Sequence, residues 1–191
     1  MKYRKVLFTY SGKLSFPGGA PCLFDMAVQL SRECRYAGAG MRWWPVVLHT
    51  FVVCDLLPEP LKIHGLAHDT PETITGDVPK PVKTKEIEKF ENMLLRSIYQ
   101  KTFRIPLPTK AEHSIIKSAD TNTLCGEVYT VGTRRLQDIY PRCPQAEELV
   151  MKYLNEYPPL ECINPDGRAP IEFLRRARLY MDMWRSAHRR H

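Results

Sequence analysis

Leu61 to Lys83 reads LKIHGLAHDTPETITGDVPKPVK, and its first half sets the fold class. Ile63, Leu66 and Ala67 recur at helical spacing, so the segment is expected to be a short helix with one buried side. That helix ends by presenting an imidazole and a carboxylate in succession, His68 and Asp69. Neighbouring helical residues point about 100° apart, so the two cannot pair as an i,i+4 couple, but both can converge on one ion beside the helix end. Glu72 and Asp77 follow, in what reads as a Gly/Pro-rich loop that Pro79, Lys80 and Pro81 stiffen.

Upstream, Pro45 is expected to open a helix that runs through VVLHTFVVCDLL and stops at Pro58. It is apolar nearly all round and should be a buried central helix, with His49 inside it. Taken alone, a single histidine there reads first as a hydrogen-bonded core residue. Asp25 is a plausible N-cap for an earlier helix carrying Met26, Leu30 and Cys34. Lys5–Tyr10 and Lys13–Phe16, on either side of Ser11-Gly12, read as a hairpin, and Pro17-Gly18-Gly19 ends that pattern. The small residues from Gly38 to Gly40 allow close backbone approach.

Downstream, Thr84 caps a helix with an inner stripe of Ile87, Phe90, Met93, Leu94, Leu95 and Ile98. Thr109 and Glu112 have capping-box spacing. In the helix they open, Ile115, Ile116, Ala119 and Thr123 are expected to face inward, with Asp120 on or beside the same face. A carboxylate there is costly without a partner, and a metal would supply one. Further helices are expected near Gln145–Glu156 and Ala169–His188, with turns between them. The expected architecture is all-α: one domain over residues 1–191, with a short N-terminal hairpin.

Composition narrows the function classes. The chain has 191 residues, 43% hydrophobic and 26% charged, enough for a substantial core. No apolar run approaches the ~18 residues of a membrane span. Six cysteines are scattered without CxxC pairs, which together with the absence of a signal peptide suggests reduced thiols and a cytoplasmic setting. The net charge of +7 favours an anionic partner without choosing among nucleotide, nucleic acid and membrane surface. Much of it lies in the last helix (Arg175, Arg176, Arg178, Arg185, Arg189, Arg190), where a solvated face is the simple reading.

His49, His68, Asp69 and Asp120 lie on three separate expected helices and form a mixed nitrogen/oxygen set suited to Mn, Co, Fe or Zn. The set contains no cysteine, which argues against a closed structural zinc. The order H…HD…D resembles the HD-domain metal-dependent phosphohydrolases, an all-helical superfamily. The likeness extends to small phage and bacterial members acting on deoxynucleotides, which share a CR-aromatic element, then H, HDxxExxxGDxxxPxK and D. Here these are Cys34-Arg35-Tyr36, His49, His68 to Lys83, and Asp120, within a resemblance spanning roughly Phe8 to Val131.

The resemblance implies Zn, Co or Mn at His49, His68, Asp69 and Asp120, with a second ion, Mg, as a further expectation. It also implies Glu72 as the group acting on the attacking water and Asp77 as an aid to proton transfer or a hold on the sugar. Arg35, Tyr36, Gly38, Lys80 and Lys83 are the expected substrate contacts. The expected reaction is release of triphosphate from dATP in a phage-infected cell, with 5′-nucleotidase action on deoxynucleoside monophosphates as the alternative. A non-catalytic HD protein binding nucleotides or nucleic acid is the alternative of another class, and no stable nucleic-acid partner is expected. A homo-oligomer is expected by resemblance, with Leu179, Met181, Met183 and Trp184 of the last helix as candidate contacts. One departure is Pro45-Val46-Val47-Leu48, which stands where many relatives have a partly polar run before the first histidine.

Overall fold

The computed structural model describes residues 6–15, 19–132 and 134–188. Lys5, Phe16, Pro17, Gly18, Arg189 and Arg190 lie outside them. The described chain is helical, apart from a two-stranded antiparallel ribbon in which β1 (Val6–Thr9) pairs with β2 (Gly12–Ser15). No described helix is long and apolar enough to cross a membrane.

Helix α1 (Leu23–Arg32) begins at Cys22, not at Asp25. The Cys22 Sγ accepts the Asp25 N–H, while the Asp25 carboxylate accepts the Cys22 N–H, so Asp25 is the third helical residue of a capping box. A loop then leaves the helix through a neck. Arg35 N–H donates to Trp44 O at 2.9 Å, and Val46 N–H donates to Glu33 O at 2.9 Å. This neck delivers the chain into α2 (Val46–Leu56), for which Pro45 is the cap residue and not the first helical position.

Helix α2 is central because it has no polar face to give to solvent. Val46, Val47, Leu48, Phe51, Val52 and Val53 are all fully buried, as is His49. Against it pack α1, α3 (Lys62–Ala67), α6 (Lys110–Thr130), α7 (Pro144–Glu156) and α9 (Arg168–His188). Between these lie α4 (Glu72–Thr75), α5 (Lys85–Ile98), which a π turn over Tyr99–Phe103 extends, and α8 (Pro159–Ile163). Glu72 thus opens a single helical turn and does not lie in an open loop, while α8 occupies part of the stretch between α7 and α9 that was expected to hold only turns.

Two inward assignments are corrected. Ile115 is 47% exposed because the buried stripe of α6 runs Ile116, Ala119, Thr123, Glu127, and one residue before its start is a rotation of about 100° outward. Met93 is 44% exposed because α5 buries only the narrow line of Leu94 and Ile98 completely.

On the last helix Arg175 and Arg178 are exposed, as a solvated face implies, but Arg176 departs from it. Arg176 is buried, bonding Asp55 Oδ1 on α2 at 2.9 Å and Glu172 Oε1 at 2.8 Å, with its guanidinium 4.5 Å from the Phe51 ring centre. Met181, Met183 and Trp184 pack against the chain's own core, leaving Leu179 as the exposed one of the four candidate contacts.

The α6–α7 crossing depends on a missing side chain. A Cβ on Gly126 would lie 2.7 Å from both the Ala146 carbonyl carbon and Cβ, so the two helices approach at backbone distance. Gly126→Ala is expected to destabilise the fold by about 1–3 kcal/mol through overpacking, which for a chain of this size lowers the thermal midpoint by about 2–12 °C. Thermal denaturation followed by circular dichroism checks this, and an unchanged midpoint would show that the crossing can widen.

Candidate metal centre and active site

His49 projects from α2, and His68 and Asp69 follow the last residue of α3. The α3 end is shaped by local bonds. Thr70 N–H and Oγ1 both donate to Ala67 O, and His68 Nδ1 donates to Gly65 O at 2.7 Å. His68 Nε2 lies 3.3 Å from His49 Nε2 and 3.0 Å from Asp69 Oδ2, and His49 Nε2 lies 3.4 Å from Asp69 Oδ2. From α6, Asp120 Oδ1 comes within 3.3 Å of His49 Nε2, while its other oxygen accepts from Lys117 Nζ.

The donor chemistry of this cluster calls for a cation. His49 Nδ1 faces Glu127 Oε1 at 2.6 Å, and His68 Nδ1 faces a carbonyl. Both partners only accept, so each Nδ1 carries the ring hydrogen and each Nε2 presents a lone pair. Two lone pairs and two carboxylates then share one small space. A proton on His49 relieves this in part: burial and Arg35 pull its pKa down, but Glu127 and Asp120 hold it at about 9. A divalent ion relieves it fully. The donor atoms of His49, His68 and Asp69 all lie within 4.8 Å of one another, a span suited to bonds of about 2.0–2.2 Å to a shared ion. Asp120 stands at the edge of that trio. This His/His/Asp group can therefore hold a metal, and the residues fit the ion that their pattern implies.

The carboxylates divide into two kinds. Burial tends to raise Asp69, but His68 and His49 bring it down to about 2, and Asp120 is likewise held well below the usual range by His49. Glu72 goes the other way, pushed well above its ordinary value by burial and by its neighbours Asp69 and Asp77. Its Oε2 is enclosed and has no hydrogen-bond partner among the described residues.

The expected substrate contacts are more engaged than their residue types suggest. Arg35 donates through Nε to Glu127 Oε2 at 3.2 Å, and its Nη1 lies 3.8 Å from Asp69 Oδ2. The Tyr36 hydroxyl donates to the same Glu127 oxygen at 2.8 Å, and its N–H donates to Asp77 Oδ2 at 3.0 Å. Asp77 N–H in turn donates to Glu33 Oε1 at 3.2 Å. Lys83 is paired with Glu91 on α5 at 2.9 Å, whereas Lys80 is exposed. Gly38, at φ 75°, is exposed, and a Cβ on it would meet nothing within 4 Å. The close approach belongs to Gly40, where a Cβ would lie 2.9 Å from Val131 O.

Glu127 is the residue the sequence reading missed. It is fully buried and receives hydrogen bonds from His49 Nδ1, Trp44 Nε1 at 2.7 Å, Tyr36 and Arg35. Burial would raise its pKa, but Arg35 and His49 hold it at about 2. The signal was present: four residues beyond Thr123, the inward stripe of α6 reaches a glutamate. This residue also answers the departure at Pro45–Leu48, because the support for His49 comes from α6 and not from the run preceding it.

No family model matches the chain. Two curated proteins match it in part. YfdR of Escherichia coli K12, an uncharacterized protein, is 31% identical over 80 residues, covering 39% of this chain and 45% of that protein. A 5′-deoxynucleotidase of Vibrio atlanticus LGP32 is 36% identical over 83 residues, covering 35% of this chain and 43% of that protein. The chain thus spans less than half the length of each.

A ligand that binds only the folded state stabilises it by about 2.7 kcal/mol at one hundred times its dissociation constant. Mn²⁺ or Co²⁺ at that level is therefore expected to raise the thermal midpoint of the wild type. His68→Ala and Asp69→Ala are expected to lose that rise. Differential scanning calorimetry with and without chelator reads it, and equal rises in all three proteins would place the ion elsewhere.

Proposed function

We propose that the chain is an HD-type metal-dependent phosphohydrolase acting on deoxynucleotides. The observation that carries this reading is the convergence of His49 Nε2, His68 Nε2 and Asp69 Oδ2 near Glu72, whose enclosed Oε2 has no hydrogen-bond partner among the described residues. The partial likeness to a 5′-deoxynucleotidase supports the same chemistry. His49, His68, Asp69 and Asp120 would hold the ion. When bound, such an ion supplies Lewis-acid stabilisation of phosphoryl charge and makes water more acidic.

The protein's own part follows from its side chains. Glu72 takes the proton of the attacking water, whose oxygen joins phosphorus as the phosphorus–O5′ bond breaks, and the leaving oxygen gains a proton. Proximity to the ion would lower the Glu72 pKa and free it to act as a base. Asp77, fixed through Oδ2 by the Tyr36 N–H, is assigned to the sugar through Oδ1. Arg35 faces the phosphate with the guanidinium edge not used by Glu127.

Within this class we favour deoxynucleoside monophosphates. A triphosphate tail needs uncommitted cations, and Arg35 and Lys83 are already matched by Glu127 and Glu91. Release of triphosphate from dATP is the second reading, favoured by exposed Lys80.

Incubation with dAMP and with dATP, each with Mn²⁺ or Co²⁺, separates them by product. Inorganic phosphate from dAMP is expected, triphosphate from dATP would favour the second reading, and duplex binding without hydrolysis of either would favour a non-catalytic protein. Glu72→Gln is expected to lower kcat by about 10²–10⁴-fold while keeping the metal-induced rise in thermal midpoint. Full activity in that variant would remove Glu72 from the reaction.

A further inference from the structure

We infer that Glu127 couples the metal centre to the turn Arg35–Gly38, so that ion affinity depends on bonds made by a tyrosine that is not itself a ligand. The inference rests on the metal reading of His49, His68 and Asp69. Each oxygen of Glu127 serves a different part of the site. Oε1 accepts from the metal-facing histidine His49 at 2.6 Å and from Trp44 at 2.7 Å, while Oε2 accepts from the Tyr36 hydroxyl at 2.8 Å and Arg35 Nε at 3.2 Å. The carboxylate is fully buried, so bulk water cannot replace a lost partner.

The turn on the other side of this carboxylate is under strain. Tyr36 (φ 60°, ψ 26°) and Ala37 (φ 51°, ψ 31°) are both left-handed, a region that costs a residue with a Cβ roughly 1–2 kcal/mol. Such a conformation persists where its surroundings fix it. Two contacts do so here: the hydroxyl of Tyr36 on Glu127 and its N–H on Asp77. One residue is thus held from the metal side and from the loop that follows the HD pair. Donation from Nδ1 to a carboxylate fixes the ring of a metal-binding histidine and raises its basicity. The partners that hold Glu127 in place therefore contribute to the affinity of His49 for the ion. By linkage, an ion on His49 favours the strained turn to the same extent.

Titration of the full chain with Co²⁺ alone, read by the visible absorption of the bound ion, tests this without substrate. Glu127→Gln is expected to weaken Co²⁺ binding about 10–100-fold, and Tyr36→Phe, which removes one hydroxyl and no ligand, about fivefold or more. Tyr153→Phe is the control. It deletes another tyrosine hydroxyl, bonded to Asp55 and Arg176, and is expected to lower the thermal midpoint with Co²⁺ affinity unchanged. Should Glu127→Gln fail to fold, Tyr36→Phe still decides. Wild-type affinity in Tyr36→Phe would overturn the coupling, as would an equal loss in Tyr153→Phe. A wild type that binds Co²⁺ no better than His68→Ala would sink the metal reading itself, and the coupling with it.

Discussion

The charge of Glu127 is sealed inside the helical core, and its burial is the constraint from which the site follows. A carboxylate taken out of water costs several kcal/mol unless its lone pairs are met. The four donors that meet it come from the Arg35–Trp44 loop and from α2, while Glu127 itself comes from α6. These segments are far apart in sequence and cannot satisfy the carboxylate piecemeal. They have to arrive in register, and that register also brings Asp120, two helical turns earlier on α6, to His49 Nε2. The support of the site and one of its candidate ligands are therefore set by a single helix placement.

A second charged contact fixes the other end of the central helix. Asp55 lies six residues beyond His49 on α2 and is held by Arg176 from α9. Between the two, α2 carries only Thr50, whose hydroxyl is spent on Val46 O, and apolar side chains, and apolar packing tolerates sliding better than a hydrogen-bonded contact does. The polar positions give α2 a fixed rotation and height against α6 and α9. Gly126 acts to the same end, since a bulkier residue would part α6 from α7 and shift the neighbouring Glu127. This explains why a basic last helix is not simply a solvated face: one of its arginines is matched to the core.

How much of this was legible in the sequence varied with the range of the interaction. Helical periodicity in the 46–56, 85–98 and 110–130 segments, and the Thr109/Glu112 capping box, depend on neighbours within a turn and can be read from local spacing. The cap of α1 was displaced from Asp25 to Cys22 because a thiol is a rare cap, and because the aspartate takes the third position of the same box. The adjacency of His68 and Asp69 was readable, as was the candidate set around it, because residue type and order carry that pattern. Glu127 was not read, because its reason for being buried lies in Tyr36, Trp44 and Arg35, some 80 to 90 residues away. The engagement of Arg35 and Lys83 was hidden for the same reason: a sequence displays a basic residue but not the carboxylate it will meet.

That hidden pairing bears on how a phosphate would reach the site. Counted by residue type, the neighbourhood of the HD pair looks cationic, with Arg35, Lys80 and Lys83 near it. Counted by contact, Arg35 is matched by Glu127 and Lys83 by Glu91, while Asp69 and Asp120 are ionised well below neutral pH. In the same cluster His49 and Lys117 stand against Asp69 and Asp120, and Glu72 is pushed well above its ordinary value by burial and by nearby Asp69 and Asp77. A phosphate approaching such a centre meets cations that carboxylates already hold. Under the proposed reading His49, His68, Asp69 and Asp120 would hold a divalent ion, which would supply the positive charge that these pairs have already used. Proton, metal and phosphate thus bear on one small group of atoms, and Glu127 sets how firmly that group holds the first two.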